Sequence, residues 1–260
     1  MFTIAHGPVQ KIWAPVINTD TLYVGQIVVV GNEGVSPLPT ALGVNDTTTK
    51  SVPFGVVVGT NRKSPLFDST NKAEYITYAD PSTAGNEDYV MTEGPWAKGD
   101  LQAMVEVALI DSTTILKGKI FNAAYGTAPA ATALSGTPTT TTATSAATST
   151  GIANLSTLYF RDGAARGSYR VTDDTSTTAL TWDLPTVNAA ASGDIVVRVP
   201  LRPQGESYMQ VGAEGNYINS GADLSLNYYA ISVVRLDLST AGNEYCEFRF
   251  DGDHFSSVRA

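Results

Sequence analysis

Few side chains in this sequence are suited to covalent or proton-transfer chemistry. There are two histidines, His6 and His254, and one cysteine, Cys246. A single Cys forms no internal disulfide and cannot build a thiolate zinc site. Two His leave little for an imidazole metal site or a Ser-His-Asp relay. Cys246 lies in Tyr245-Cys246-Glu247-Phe248-Arg249-Phe250. Alternate residues of a strand face opposite sides, so Cys246, Phe248 and Phe250 share one face and Glu247 and Arg249 the other. That pattern predicts a small core hydrophobe, whereas a nucleophilic thiolate needs an exposed, electropositive setting.

The carboxylates are numerous but unpatterned. Asp251-Gly252-Asp253-His254 resembles the opening of a calcium loop, yet it lacks the further Asp or Asn, the glycine and the distant bidentate Glu. It reads as a solvated turn, and Asp173-Asp174 reads as a hairpin turn. Any two of the 25 acids could flank a glycosidic bond, but no motif singles out a pair. The sequence has no G-x-S-x-G, P-loop, G-x-G-x-x-G or H-E-x-x-H. The expectation is a protein that is not an enzyme, with no catalytic residue, no cofactor and no metal.

Binding chemistry is the better prospect. Trp13, Trp96 and Trp182, with Tyr217, Tyr228 and Tyr229, could stack on sugar rings, and Asn216 and Asn227 could add amide hydrogen bonds. Core packing is the ordinary role of such residues. The first sixteen residues, Met1–Val16, carry Phe2, Ile4, Ile12 and Trp13, broken by Pro8 and Pro15. Proline disfavours a helix and favours an extended path. These four apolar residues are the candidate partner-binding residues of an N-terminal arm that could be removed without loss of the β fold. The alternative is that the segment tucks against its own domain.

Composition points the same way. The net charge is −9 and only 16% of residues are charged, against roughly 25% in average globular chains. Thr, Ser, Asn, Gly and Ala take their place. One reading is a surface largely covered by neighbouring subunits, where charge is costly to desolvate; the other is a neutral, Thr-rich β surface. An acidic chain lacks the clustered Lys and Arg of a general nucleic-acid binder. The uncharged run from Phe121 to Phe160 is too rich in Thr, Ser, Gly and Pro to cross a bilayer. Neither nucleic acid nor membrane is expected as a partner.

The elements that would position these residues are strands. Val-, Ile- and Tyr-rich runs predict strands at Thr21–Val30, Phe54–Gly59, Leu101–Ile110, Thr157–Arg161, Ser168–Thr172, Ala179–Leu184, Asp194–Val199, Leu224–Leu238 and Tyr245–Phe250. Short helical turns are possible near Ser82–Tyr89 and Asp162–Gly167. The hexapeptide STAGNE occurs at Ser82–Glu87 and again at Ser239–Glu244, either by chance or as an echo between two related β domains. Thr127–Thr150 holds ten Thr and seven Ala and no charge. Alone it cannot bury enough apolar surface to offset its ordering entropy. The fold expected is mainly β: an arm over 1–16, a small β-barrel-like domain over 17–126, a Thr/Ala/Ser-rich linker or arm over 127–153, and a second, β-sandwich-like domain over 154–260.

Three of these runs carry a resemblance. Asn18–Gly34 (NTDTLYVGQIVVVGNEG), Pro53–Thr60 (PFGVVVGT) and Lys98–Ile110 (KGDLQAMVEVALI) resemble the head decoration, or cement, proteins of tailed bacteriophages. In that family a GQ(I/L)V strand, a (P/A)FGVV strand and a GDxxxxxV strand recur on a small β-barrel. The resemblance covers about the first 125 residues, and this chain is about twice as long as the smallest members. It implies a virion structural protein on the capsid exterior that binds the major capsid protein and stabilises contacts between shell subunits. It also implies a homo-oligomer, with a trimer favoured over a dimer. The alternatives are a tail, baseplate or head-fibre protein, and a carbohydrate-binding β module. No binding residue of the family matches this chain position by position.

Overall fold

In the computed structural model of the 260-residue chain, the described residues are 1–7, 9–17, 20–31, 33–40, 51–62, 64, 66–78, 103–121, 127–145, 156–173, 179–203, 206–212, 215–219 and 229–256. The fold is mainly β, as the alternating runs predict. Among the described residues, the one helix is a single turn near the C-terminus. The chain divides into two compact units, each assembled from separated segments.

The first unit takes Met1–Gly118, Val211–Tyr217 and Arg249–Ala260. Its strands are β1 (Phe2–His6), β2 (Lys11–Pro15), β3 (Thr21–Tyr23), β4 (Ile27–Gly31), β5 (Gly34–Pro37), β6 (Gly55–Thr60), β7 (Leu66–Asp68), β8 (Ala73–Thr77), β9 (Met104–Leu109) and the start of β10 (Ile115–Phe121). Five of them form an antiparallel sheet in the order β2-β9-β6-β4-β5. This sheet curls until its outer strands meet. Val16, just past β2, bridges Val35 of β5, and the Ile17 N–H donates to the Val35 carbonyl at 3.2 Å. The unit is therefore barrel-like, as expected. Its interior is set by strand alternation: Ile12, Ala14 and Val16 pack with Val28, Val35, Val57, Val105 and Val107. A second sheet, β3-β8-β7, adds Leu22 and Ile76 to the same core.

The N-terminal segment is not an arm. β2 pairs with β9 along its whole length, from Lys11 opposite Ala108 to Pro15 opposite Met104. β1 pairs with the first half of β10, Phe2 opposite Gly118 and Ile4 opposite Leu116. Backbone hydrogen bonding and inward packing outweigh the break at Pro15, which falls at the end of β2, where proline costs no ladder bond; Pro8 lies outside the described residues. Removing residues 1–16 would remove two paired strands.

The second unit takes Lys119–Gln210 and Ile218–Phe248. Its centre is a closed antiparallel barrel of β11 (Ala131–Ser135), β12 (Thr142–Ser145), β13 (Thr157–Phe160), β14 (Gly167–Asp173), β15 (Ala179–Trp182) and β16 (Ile195–Val199). The order round the barrel is β11-β12-β15-β14-β13-β16. Two expectations are corrected here. The second domain is built on a barrel, not a sandwich. The Thr/Ala segment is no linker, since β11 and β12 are two of the barrel's six strands. The segment still lacks a core of its own, but the barrel supplies one: Leu134 and Ala143 face inward against Phe160, Trp182 and Val196, while Thr142 and Thr144 face out.

The rest of the second unit is a sheet in the order β10-β20-β19-β17, from β17 (Glu206–Met209), β19 (Tyr229–Asp237) and β20 (Tyr245–Phe250). The short β18 (Ile218–Asn219) pairs in parallel with the end of β10. Helix α1 (Asp253–Ser256) follows β20. A polar latch ties this sheet to the barrel. Arg161, one residue past β13, donates from Nε to the Leu238 carbonyl at 3.0 Å, and its guanidinium pairs with the buried Glu244 carboxylate. Glu244 ends the second STAGNE; the first copy lies outside the described residues. The expected boundaries at 126 and 154 are replaced by a chain that leaves the first unit within β10 and re-enters it at Val211 and Arg249.

Candidate functional site

Of the three reactive residues, Cys246 and His254 are buried, whereas His6 is exposed at the end of β1. Cys246, Phe248 and Phe250 are buried on one face of β20, as their alternation predicts. Burial, and then the neighbouring Glu247 charge, push the Cys246 thiol well above its ordinary range. His254 is also buried, in α1, edge-on to Phe250 at 6.0 Å between ring centroids, so the expected solvated turn at this point is a helix start instead. Asp111 and Asp237 are held below the usual carboxylate range, chiefly by hydroxyl and backbone donors from Thr113 and Ser239 respectively. Both carboxylates cap turns, Asp111 in the connection from β9 to β10 and Asp237 at the end of β19. Among the described residues, no group of three or more His, Cys, Asp and Glu could hold a metal ion.

The stacking platform is not assembled. Trp182, Tyr217 and Tyr229 are buried, as is Asn216. Trp182 packs edge-on against Phe160 at 5.4 Å inside the second-unit barrel. Trp96, Asn227 and Tyr228 lie outside the described residues.

The four candidate partner-binding residues separate by face. Phe2 is 1% exposed, and its N–H donates to the Gly25 carbonyl at 2.7 Å. Ile12 packs on the first-unit core. Ile4 is half-buried on β1, and Trp13 is half-buried on the outer face of β2 beside Glu106. They do not form one exposed patch.

The exposed apolar feature is elsewhere, in the loop 183–193 between β15 and β16. Leu184 is 63% exposed and Val187 94%. Pro185, Ala189 and Ala191 are exposed as well, and Asp183 is the only charge in the loop. Burying a Val or Leu side chain is worth about 1.5–3 kcal/mol each, so a free loop would turn them inward. This one is pinned. The buried Trp182 donates from Nε1 to the Thr140 carbonyl at 2.9 Å. The Thr186 N–H donates to the same carbonyl at 2.8 Å, and the Thr186 hydroxyl donates to the Asn188 carbonyl at 2.5 Å. Ala190 seats in the barrel core. At the far end the Ala191 N–H donates to Asp194 Oδ2 at 2.9 Å, and the Gly193 N–H to the Leu134 carbonyl at 2.8 Å. Thr186 and Ala190 point in, so Leu184 and Val187 must point out.

Sequence reasoning assigned Leu184 to a strand and passed over Val187. The available signal was Leu-Pro-Thr-Val immediately after a strand, apolar residues flanking a proline where no ladder continues. Other exposed apolar side chains, such as Phe67 and Val30, stand singly on short strands and are ordinary for a globular surface.

Compared with known proteins, the chain matches no family model, no curated protein and no solved structure.

Proposed function

We propose that this chain is a structural protein of a phage virion, which binds the outer surface of the capsid and stabilises contacts between shell subunits. The observation that carries the reading is the arrangement of the three motif runs. GQIVVV enters β4, FGVVVG runs through β6 and the GDLQAMVEVAL run ends in β9, and these strands are neighbours in the curled first-unit sheet. The low charge of the chain supports it, because a surface apposed to other subunits avoids the desolvation of charge. The partner is the major capsid protein, and the chain acts as a homo-oligomer, with a trimer favoured. Each copy binds weakly, and many copies add through avidity.

Quantitative mass spectrometry of purified particles, scaled to the major shell protein, tests this. The expected ratio is one copy per shell subunit, or one per few. A few dozen copies per particle would transfer the chain to a tail, baseplate or fibre. Absence from particles would overturn the virion reading.

A further inference from the structure

We infer that the outer face of the first-unit sheet holds a carbohydrate site, where Trp13 stacks on a neutral sugar ring and Glu106 and Lys11 bond its hydroxyls. The inference goes beyond the capsid reading and does not depend on it.

The site is a row across three neighbouring strands. Trp13 of β2 lies opposite Glu106 of β9, and Glu106 lies opposite Gly59 of β6. Trp13 points away from the core that Ile12 and Ala14 enter. Lys11 shares the face of Trp13 and donates from Nζ to Glu106 Oε2 at 3.2 Å. That contact holds the carboxylate beside the indole without withdrawing it from water, since the Lys11 and Glu106 side chains are 48% and 28% exposed. Among the described residues, the Trp13 indole N–H and Glu106 Oε1 have no hydrogen-bond partner, and neither atom is sealed from solvent. The row therefore presents an aromatic ring, an N–H donor, an ammonium and an open carboxylate acceptor. Gly59 keeps the far flank of Glu106 clear: a Cβ there would already touch the carboxylate, 3.6 Å from Oε2. The strand is bulged at this point, between Val57 and Gly59, a distortion common beside binding sites.

This chemistry selects the ligand. A pyranose has an apolar C–H face to cover an indole, and a rim of hydroxyls that both donate and accept. A dry protein interface is a poorer match. Charge is depleted from interface cores, and a partner seated on Trp13 would desolvate the Lys11–Glu106 pair beside it. Hydroxyls instead replace the water that those charges lose. Phosphates and acidic sugars meet the Glu106 carboxylate and a net charge of −9. A neutral saccharide remains.

The test uses the full-length chain and an arrayed panel of neutral oligosaccharides of glucose, galactose, mannose and N-acetylglucosamine in defined linkages. Each positive is titrated by intrinsic tryptophan fluorescence. At least one member should bind. Trp13→Ala and Gly59→Val should each weaken binding by about tenfold, the loss of one good contact, and Glu106→Ala should weaken it severalfold. Gly59 does not occupy the left-handed region, so valine suits the strand, and the Gly59→Val melting curve should be unchanged. That variant keeps the test decisive if Trp13→Ala fails to fold. No binding by the wild type to any member, or unchanged binding in either Gly59→Val or Glu106→Ala, would overturn the site. Loss of binding to purified capsids in Trp13→Ala, with no sugar bound by the wild type, would place Trp13 in a protein interface. That result would overturn the carbohydrate site and leave the capsid reading standing.

Discussion

At the scale of single residues, the charged pair that matters most is buried. Glu244 is fully inaccessible and Arg161 nearly so. Removing one partner of such a pair typically costs about 3–5 kcal/mol, because the other charge stays buried without compensation. Glu244→Ala should therefore lower the urea midpoint of the second unit sharply. Glu244→Gln, which keeps an acceptor for the guanidinium, should lower it less. Replacing both with apolar residues of similar volume, R161M/E244L, should recover most of the loss, since a buried ion pair often contributes little net stability over good packing. If the double variant is as unstable as Glu244→Ala, apolar packing does not replace the pair, and the latch depends on the polar contacts of Arg161 themselves. Cys246 was legible at this scale because strand alternation fixes its face. The partner of Glu244 was not, since 83 positions separate it from Arg161 and no local pattern couples them.

At the scale of elements, closure of the first-unit sheet depends on a close backbone approach. Gly34 has φ +151°, and a Cβ there would lie 2.1 Å from the Pro15 carbonyl oxygen. That contact is at the end of β2, where β5 swings across to bridge Val16. Gly34→Ala should destabilise by more than about 1 kcal/mol, or a drop of at least about 2–4 °C in melting temperature for a domain of this size. Gly193→Ala is the control. Its φ of +96° is equally unfavourable to a side chain, but nothing lies within 4 Å of the added carbon. Equal losses at the two sites would mean that the steric contact with Pro15 is relieved by a small shift, and that closure tolerates it. The same scale explains what sequence could reveal. Runs such as Phe54–Gly59 and Tyr245–Phe250 declare themselves by β-branched and aromatic density. Ile115–Phe121 also alternates, but Lys117, Gly118 and Lys119 at its centre dilute the signal. Among the described side chains, β11 and β12 offer only Leu134, between Ala133 and Ser135, and Ala143, between Thr142 and Thr144, as buried positions. Their strand character comes from the neighbours that close the barrel, which no window of sequence contains. The loop 183–193 escaped for the converse reason: its exposure is imposed by contacts to Thr140 and Leu134, both far away in the chain.

At the scale of the molecule, the second-unit barrel has the form of an insertion. Its first strand pairs with its last, Ala131 opposite Val197, so the chain enters and leaves at one place. A closed barrel has no free edge to satisfy. Its core of Leu134, Leu158, Phe160, Val171, Leu180, Trp182 and Val196 lies wholly within it. The Thr157 hydroxyl bonds the Leu201 carbonyl at 2.6 Å and fastens the exit segment to β13. Residues 127–203 expressed alone should therefore fold, with dispersed amide resonances and a single cooperative transition. Stability should be low, because a domain of this size buries only about 60–65% of the surface its unfolded chain exposes, and because Arg161 loses Glu244 and Leu238. Adding R161M should raise the melting temperature of the fragment, while the same change alone lowers that of the full chain. That reversal separates a barrel that merely sits in the second unit from one that needs the latch to fold. A fragment with collapsed resonances and no cooperative melt, with or without R161M, would mean that β17, β19 and β20 are part of its folding unit.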